Sequence, residues 1–300
     1  MYFIIGASGF IGQHLYDYCK EKEIDVFGTF YRHSNNPELV QFDLCIDDLY
    51  SICHKYCAGK IPQVVIICGA NSSIDNCKRD ETASYNLNVI GIKKILDQAN
   101  KMGIKSVFLS SEAVFDGKQG MYSEEDIPNP ITTYGRQKLQ IERYMMQNLK
   151  DYLIFRISRA AGSSYGEKDI FDEFYNKIIN KEEIVCLKNQ SFCLTEINDI
   201  TEGIIKALQH GLTGLYHLSS ANYISRYELA HLYAKKMFGQ YEKIVEKEYD
   251  DFPFLDNRHI YGGLKGNKLV NLLEIRYMDI DSMLNKYRNT YKKGAGLQND

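Results

Sequence analysis

A strand that runs into a glycine-spaced turn and then into a helix leaves a chain few folds to choose from. Here that stretch is Ile4-Ile5-Gly6-Ala7-Ser8-Gly9-Phe10-Ile11-Gly12, near the N-terminus of 300 residues. Each glycine in the Gly6-x-x-Gly9-x-x-Gly12 spacing has a physical reading. Gly6 permits the tight turn, Gly9 lets backbone N–H groups approach a pyrophosphate, and Gly12 lets the helix pack close to the sheet. The helix N-terminus then turns its partial positive charge toward the phosphates, with Ser8, Phe10 and Ile11 beside them. Glycines that serve packing alone are the alternative, but strand, turn and helix together fit dinucleotide binding.

Downstream, short apolar runs alternate with longer amphipathic segments. This is the pattern of an α/β protein with a Rossmann-like, doubly wound parallel sheet. Strands are expected at Tyr2–Ile5, Asp25–Phe30, Val40–Phe42, Val64–Cys68, Ser106–Ser110 and Tyr152–Ile157. Helices are expected at Gly9–Lys22, Ile46–Ala58, Thr82–Met102 and Thr133–Leu149, the third closing at Met102-Gly103. After Gly162 the pattern loosens into a smaller α+β C-terminal substrate lobe. Its expected helices are Lys168–Asn180, Asn198–His210 and Arg226–Phe238, with strands at Ile184–Leu187, Phe192–Ile197, Leu215–Leu218 and Lys243–Lys247. The expected division is a dinucleotide-binding domain over 1–162, with 190–220 returning to it. The substrate lobe then comprises 163–189 and 221–300. The stretch 292–297 is polar or small and expected to fray.

Composition excludes several classes. Hydrophobic residues at 44% and charged residues at 25% are ordinary for a soluble protein, and a net charge of −3 favours neither nucleic acid nor an anionic membrane. No window approaches the ~18 apolar residues of a membrane helix. Met1 runs almost at once into the first strand, which leaves no room for a signal peptide, so a cytoplasmic protein is expected. The eight cysteines are scattered and read as reduced thiols. Cys53, His54 and Cys57 lie close together, but His54 points off the face that the cysteines share and no second ligand pair follows. No metal is expected.

An NAD-binding strand of this kind ends in an acid that meets the adenosine ribose. This chain instead reads Gly28-Thr29-Phe30-Tyr31-Arg32-His33-Ser34. With Arg32 able to pair a 2′-phosphate beside Tyr31, NADP(H) is favoured and NAD(H) is the second choice. A solvated basic loop is the alternative reading.

Two further features point to proton transfer. Ser110-Ser111 ends an apolar run, and Tyr134-Gly135-Arg136-Gln137-Lys138 follows at a helix start. Ketone reduction needs a proton donor at the carbonyl oxygen. Lys138, one turn from Tyr134, is expected to lower its pKa; a drop of about 3 units corresponds to roughly 4 kcal/mol. Ser111, at the carboxyl end of a strand, can donate to the carbonyl oxygen. Among 23 tyrosines, Tyr134 stands out for its place between two strands, whereas Tyr122 and Tyr144 read as ordinary amphipathic residues.

Together these stretches resemble the extended short-chain dehydrogenase/reductase superfamily, and within it the dTDP-4-dehydrorhamnose reductase-like branch. The resemblance is carried by Gly6–Gly12, Val65–Ala70, Asn86–Val89, Ser110–Gly117, Pro128–Pro130 before Tyr134, Arg156–Ser158 and Gly214–His217. It covers about the first 220 residues and thins afterwards. It implies a Ser111–Tyr134–Lys138 triad acting on a nucleotide-sugar substrate. Asn88 would lie near the active site, Asp43 and Leu44 beside the adenine, and Cys68, Gly69 and Ala70 along the cofactor cleft. Arg159 stands where the family often has Trp at the sugar, and the common Arg-Pro pair of the lobe appears as Arg258-His259. Glu112, Arg159 and Arg258 are therefore expected at the substrate, Arg258 at a diphosphate.

Related dehydratases carry an Asp-Glu pair after the Ser/Thr, and epimerase–reductases a Cys where this chain has Ala113. A plain 4-ketosugar reductase needs neither. A C4 epimerase with bound NAD shares the triad. A regulatory subunit of methionine adenosyltransferase resembles the same branch, so a non-catalytic NADP-binding subunit is a further alternative. Assembly as a homodimer is left open.

Overall fold

A computed structural model of the chain describes residues 1–57, 59–167 and 169–294, with side chains through 291. Its centre is a sheet of seven strands: β1 (Tyr2–Ile5), β2 (Val26–Phe30), β3 (Val40–Gln41), β4 (Val64–Ile67), β5 (Lys105–Ser111), β6 (Tyr152–Ile157) and, much later, Gly214–Leu218. Between β6 and that last strand come β7 (Arg159–Ala161), β8 (Ile184–Leu187) and β9 (Ser191–Glu196), which makes Gly214–Leu218 β10. β11 (Tyr223–Ser225) and β12 (Ile244–Lys247) follow. The central order is β10-β6-β5-β4-β1-β2-β3, and every neighbouring pair is parallel.

Parallel pairing explains the composition of these strands. Both faces are covered, so β4 reads Val64-Val65-Ile66-Ile67 without a polar residue, and all four are buried. In β1 the period of two sends Phe3 and Ile5 to one core and Ile4 to the other. Each such side chain contributes roughly 1.5–3 kcal/mol on burial. The helices are α1 (Phe10–Glu21), α2 (Leu49–Tyr56), α3 (Ile74–Arg79), α4 (Glu81–Tyr85), α5 (Ile92–Lys101) and α6 (Thr133–Asn148). Those after β7 are α7 (Ile170–Ile179), α8 (Ile197–Gln209), α9 (Arg226–Phe238), α10 (Asn267–Leu273) and α11 (Ile280–Gly294).

The helix expected at Thr82–Met102 is broken. A π-turn over Asn86–Gly91 separates α4 from α5. The hydrophobic period cannot register one added residue per turn, and such turns concentrate at functional sites. The close at Met102-Gly103 is as expected, with Gly103 at φ +70°. Sequence periodicity missed α3, β7, β11, α10 and α11, all but α11 too short to show a period. The expected helix positions Ala58 and Lys168 lie outside the described residues. So do 295–297 of the tail, where α11 runs on to Gly294.

Within 190–220, β10 joins the central sheet beside β6, whereas β9 pairs with β7 and β11 in a separate three-stranded sheet. A third core, with Phe171, Phe174, Tyr233 and Tyr287, lies under α7, α9 and α11. Because the central strands are parallel, their carboxyl ends share one edge. Gly6, Tyr31, Asp43, Cys68, Ser111 and Arg159 all lie at or just beyond those ends. Ligands of such sheets bind at this edge. Among the described residues, no helix is long and apolar enough to cross a membrane.

Candidate active site

The turn after β1 is held by contacts that only glycine permits. Gly6 has φ +84°, and a Cβ on it would lie 2.6 Å from the Gly69 Cα. A Cβ on Gly12 would lie 2.1 Å from the Gly6 carbonyl oxygen. The Gly6 N–H donates to Thr29 Oγ1 at 3.2 Å and the Ala7 N–H to the Thr29 carbonyl at 2.7 Å, which ties the turn to β2. Gly9 caps α1 without a side-chain hydrogen bond to the helix N-terminus. The first N–H groups of α1 therefore have no side-chain cap, and exposed Gly9 leaves room for an anion beside them. Ser8, Phe10 and Ile11 are half-buried around this mouth. The donor set and the space fit a dinucleotide pyrophosphate.

At the end of β2, Tyr31 and Arg32 are exposed, with the guanidinium 5.3 Å from the Tyr31 ring centre. Arg32 makes no hydrogen bond or ion pair among the described residues. After β3, Asp43 accepts the Cys45 N–H at 2.8 Å, and Leu44 is buried. The N–H groups of Cys68 and Gly69 both donate to the Ile5 carbonyl at 2.9 Å, which draws the loop through Ala70 against the glycine turn. Burial pushes the Cys68 thiol up to about 12.

Asn88 sits in the π-turn, 2% exposed. Its Oδ1 accepts the Asn71 N–H at 2.8 Å, and its Nδ2 donates to the Asn71 carbonyl at 3.0 Å and to Gln137 Oε1 at 2.8 Å. It clamps the loop after β4 to α6, so its bearing on a cofactor runs through that loop.

Ser111 closes β5, and Tyr134 is the second residue of α6. Thr132 caps α6 by accepting the Gly135 N–H at 2.9 Å. Gly135 decides how near the helix comes, because a Cβ there would lie 2.0 Å from the Ala113 carbonyl oxygen. That close approach brings Tyr134 within hydrogen-bonding reach of Ser111. The Thr133 N–H donates to Asp256 Oδ2 at 2.7 Å, which anchors the C-terminal segment at the start of α6.

Lys138 is buried. Its Nζ donates to the Leu109 carbonyl at 2.7 Å and lies 4.5 Å from the Phe108 ring centre and 5.6 Å from that of Tyr134. Burial lowers its pKa to about 8, against the pull of Cys68 and Glu142. Burial also pushes the Tyr134 phenol above its usual value, with the Ser111 hydrogen bond working the other way. The expectation that Lys138 makes Tyr134 acidic thus needs correction. The ammonium is directed at a backbone carbonyl, and burial outweighs every other influence on the phenol. A phenol that keeps its proton is the form that can donate one.

Behind Ser111 lies a polar network that sequence reading did not assemble. Arg156 meets Glu142 through two nitrogens at 2.7 and 3.0 Å, and Glu142 also accepts from the Ser110 hydroxyl. Arg156 stacks over Phe115 at 5.0 Å and contacts His217 at 3.5 Å. Burial first, then Arg156, lowers the His217 pKa to about 3. The Arg156–Ser158 and Gly214–His217 stretches were visible only as points of resemblance; here they join β6 and β10 to α6. Breaking one side of a buried ion pair costs about 3–5 kcal/mol.

A cleft of about 630 Å³ opens from Ser111 and Tyr134 toward the lobe. It brings together every expected substrate residue: Ser111, Glu112, Arg159 and Arg258. Glu112 accepts the Gly263 N–H at 2.6 Å, and burial raises its pKa. Arg258 lies 2.7 Å from Asp75. Sequence reading missed Phe192, Arg226, Phe254 and His259, which also line the cleft. No local motif marks Phe192, Arg226 or Phe254, and His259 was noted only as the neighbour of Arg258.

Comparison with known proteins places this geometry. The family model described as the RmlD substrate binding domain matches residues 1–292. The chain is 27% identical over 228 residues to the spore coat polysaccharide biosynthesis protein SpsK of Bacillus subtilis, covering 76% of each chain. It is also 27% identical over 239 residues to methionine adenosyltransferase 2 subunit beta of Bos taurus, covering 76% of this chain and 69% of that one. Among solved structures, it is similar to a hypothetical dTDP-4-dehydrorhamnose reductase from Sulfolobus tokodaii. That match has 25% identity and a TM-score of 0.80, and covers 94% of this chain and 99% of the other. The chain belongs to the RmlD substrate binding domain family, of the extended short-chain dehydrogenase/reductase type.

Proposed function

We propose that this protein reduces the C4 ketone of a nucleotide-linked 4-keto-6-deoxysugar, with NADPH as the hydride source. The observation that carries the reading is the meeting of Ser111, Tyr134 and Lys138 beside Ala113, an inert residue where related dehydratases and epimerase–reductases place an acid, base or thiol. The glycine turn and the N-terminus of α1 would hold the pyrophosphate, and Lys138 the nicotinamide ribose. Exposed, unpaired Arg32 supports NADPH over NADH, since a guanidinium there suits a 2′-phosphate.

When bound, the cofactor supplies the hydride. The chain's own residues do the rest. Ser111 donates a hydrogen bond to the ketone oxygen, and Tyr134 delivers its proton to the same atom as charge develops. Burial keeps the phenol protonated until then. Ala113 has no titratable group, so nothing at that position can strip a proton from the neighbouring carbons.

The similarity to SpsK and to the Sulfolobus reductase supports the nucleotide-sugar reading. The similarity to an adenosyltransferase subunit supports a second reading, a scaffold that holds NADP(H) without turnover. A panel of nucleotide-linked 4-ketosugars, made in situ by dehydratases and screened by loss of NADPH absorbance, separates the two. NADPH consumption with at least one member is expected. None across the whole panel would favour the subunit.

A further inference from the structure

Three arginines face the cleft, and two of them already have carboxylate partners. Arg258 lies 2.7 Å from Asp75, donates to the Asp256 carbonyl at 3.0 Å, and rests over Phe254 at 4.5 Å. Arg226 lies 2.6 Å from Glu173 and rests over Phe174 at 5.2 Å. Arg159 is different. Among the described residues it makes no hydrogen bond and no ion pair; its guanidinium rests over the Phe192 ring at 5.1 Å, and the residue lines the cleft. Its acidic neighbour Glu112 is engaged by the Gly263 N–H. An arginine that rests over an aromatic ring, with no carboxylate in ion-pair contact, is ready for a ligand anion.

Its place in the cleft says which anion. The strand register sets Ser111 opposite Ile157, and Arg159 lies two residues farther along, roughly 6–7 Å at strand spacing. It feels the charge of Glu112 on the catalytic side and of Arg226, Glu173 and Asp169 on the lobe side. It therefore stands between the reacting centre and the lobe. In a nucleotide-linked sugar, the diphosphate stands between the sugar and the nucleoside.

We propose that Arg159 binds the substrate diphosphate, the role that the sequence suggested for Arg258. This rests on the nucleotide-sugar reading above. Arg258, held by Asp75, instead fixes the segment around Phe254 that walls the cleft.

Calorimetry with UDP, dTDP and the matching nucleosides tests it on the intact protein. Arg159→Met keeps an apolar stem against Phe192 while removing the charge. Affinity for whichever nucleoside diphosphate the unaltered protein prefers should fall tenfold or more, as expected for one charge-assisted contact. Nucleoside and NADPH affinities should hold, which also shows that the variant is folded. Arg159→Lys should recover part of the loss, and Arg258→Met should cost less than Arg159→Met. Unchanged diphosphate binding by Arg159→Met, or a larger loss in Arg258→Met, overturns the assignment. So does a loss seen with UDP-glucuronate but not with UDP, which would mean a sugar carboxylate. Turnover separates this proposal from the reading beneath it. Ketosugar reduction with unchanged KM in Arg159→Met sinks the assignment alone. Diphosphate binding lost in Arg159→Met, in a protein that reduces no ketosugar, sinks the reductase alone. A protein that binds no nucleoside diphosphate sinks both.

Discussion

The glycine turn after β1 and the arginines of the cleft are both suited to phosphate, and they reach that end by opposite means. The turn uses backbone N–H groups, and its shape is set by contacts such as Gly12 against the Gly6 carbonyl, within seven residues of chain. The cleft uses side chains from β7, α9 and the segment after β12, and their availability depends on acids elsewhere in the chain. Asp75, on α3, decides that Arg258 is occupied. Local backbone sites are thus written in short motifs. Side-chain sites are settled only when distant elements meet.

The largest effect should come from cutting chemistry away from both phosphate sites. Tyr134→Phe removes the proton donor and should lower kcat by roughly 10²–10⁴. NADPH affinity should change little, since the phenol hydroxyl is not part of the turn. Equal losses in turnover and cofactor binding would show that the two regions are not separable in this way.

A second test sharpens the contrast through pH. Lys138, brought down to about 8 by burial, holds its charge below that pH and loses it above, while Tyr134 is held higher than usual. The kcat/KM profile should therefore fall above about pH 8, approaching tenfold per pH unit, as one proton leaves Lys138. Lys138→Arg, if it supports turnover, should push that limb out of the accessible range. A limb that stays near pH 8 in the arginine variant would assign it to another group.

The smallest effect concerns a side chain acting on the backbone site. Arg32→Ala should shrink the preference for NADPH over NADH by about tenfold, the size of one charge-assisted contact. It should weaken NADPH and spare NADH. Equal binding of both cofactors by the unaltered protein would remove Arg32 from the account.

The same contrast governs how much could be read before the structure. β1, β6, β8 and α9 fall where periodicity put them, because a continuous apolar run or a capped amphipathic helix carries its own signal. The Ser225–Glu228 capping box, for example, marks the start of α9 in the sequence itself. The π-turn at Asn86–Gly91 carries no such mark, so Asn88 was placed near the active site without its task of clamping the Asn71 loop to Gln137. Lys138 was correctly set one turn from Tyr134, but its hydrogen bond to the Leu109 carbonyl depends on how α6 crosses β5. Gly135 reveals why that crossing is so close, and nothing in Tyr-Gly-Arg-Gln-Lys shows that the Ala113 carbonyl lies against it.

Hydride delivery to C4, with no other carbon disturbed, is the centre of the account. NADPH carrying deuterium at the reacting carbon of its nicotinamide ring tests it most directly, by locating the label in the sugar product. One deuterium at C4 and none at C3 or C5 is the predicted result. A product that lacks deuterium at C4, or carries it at C3 or C5, would contradict direct reduction.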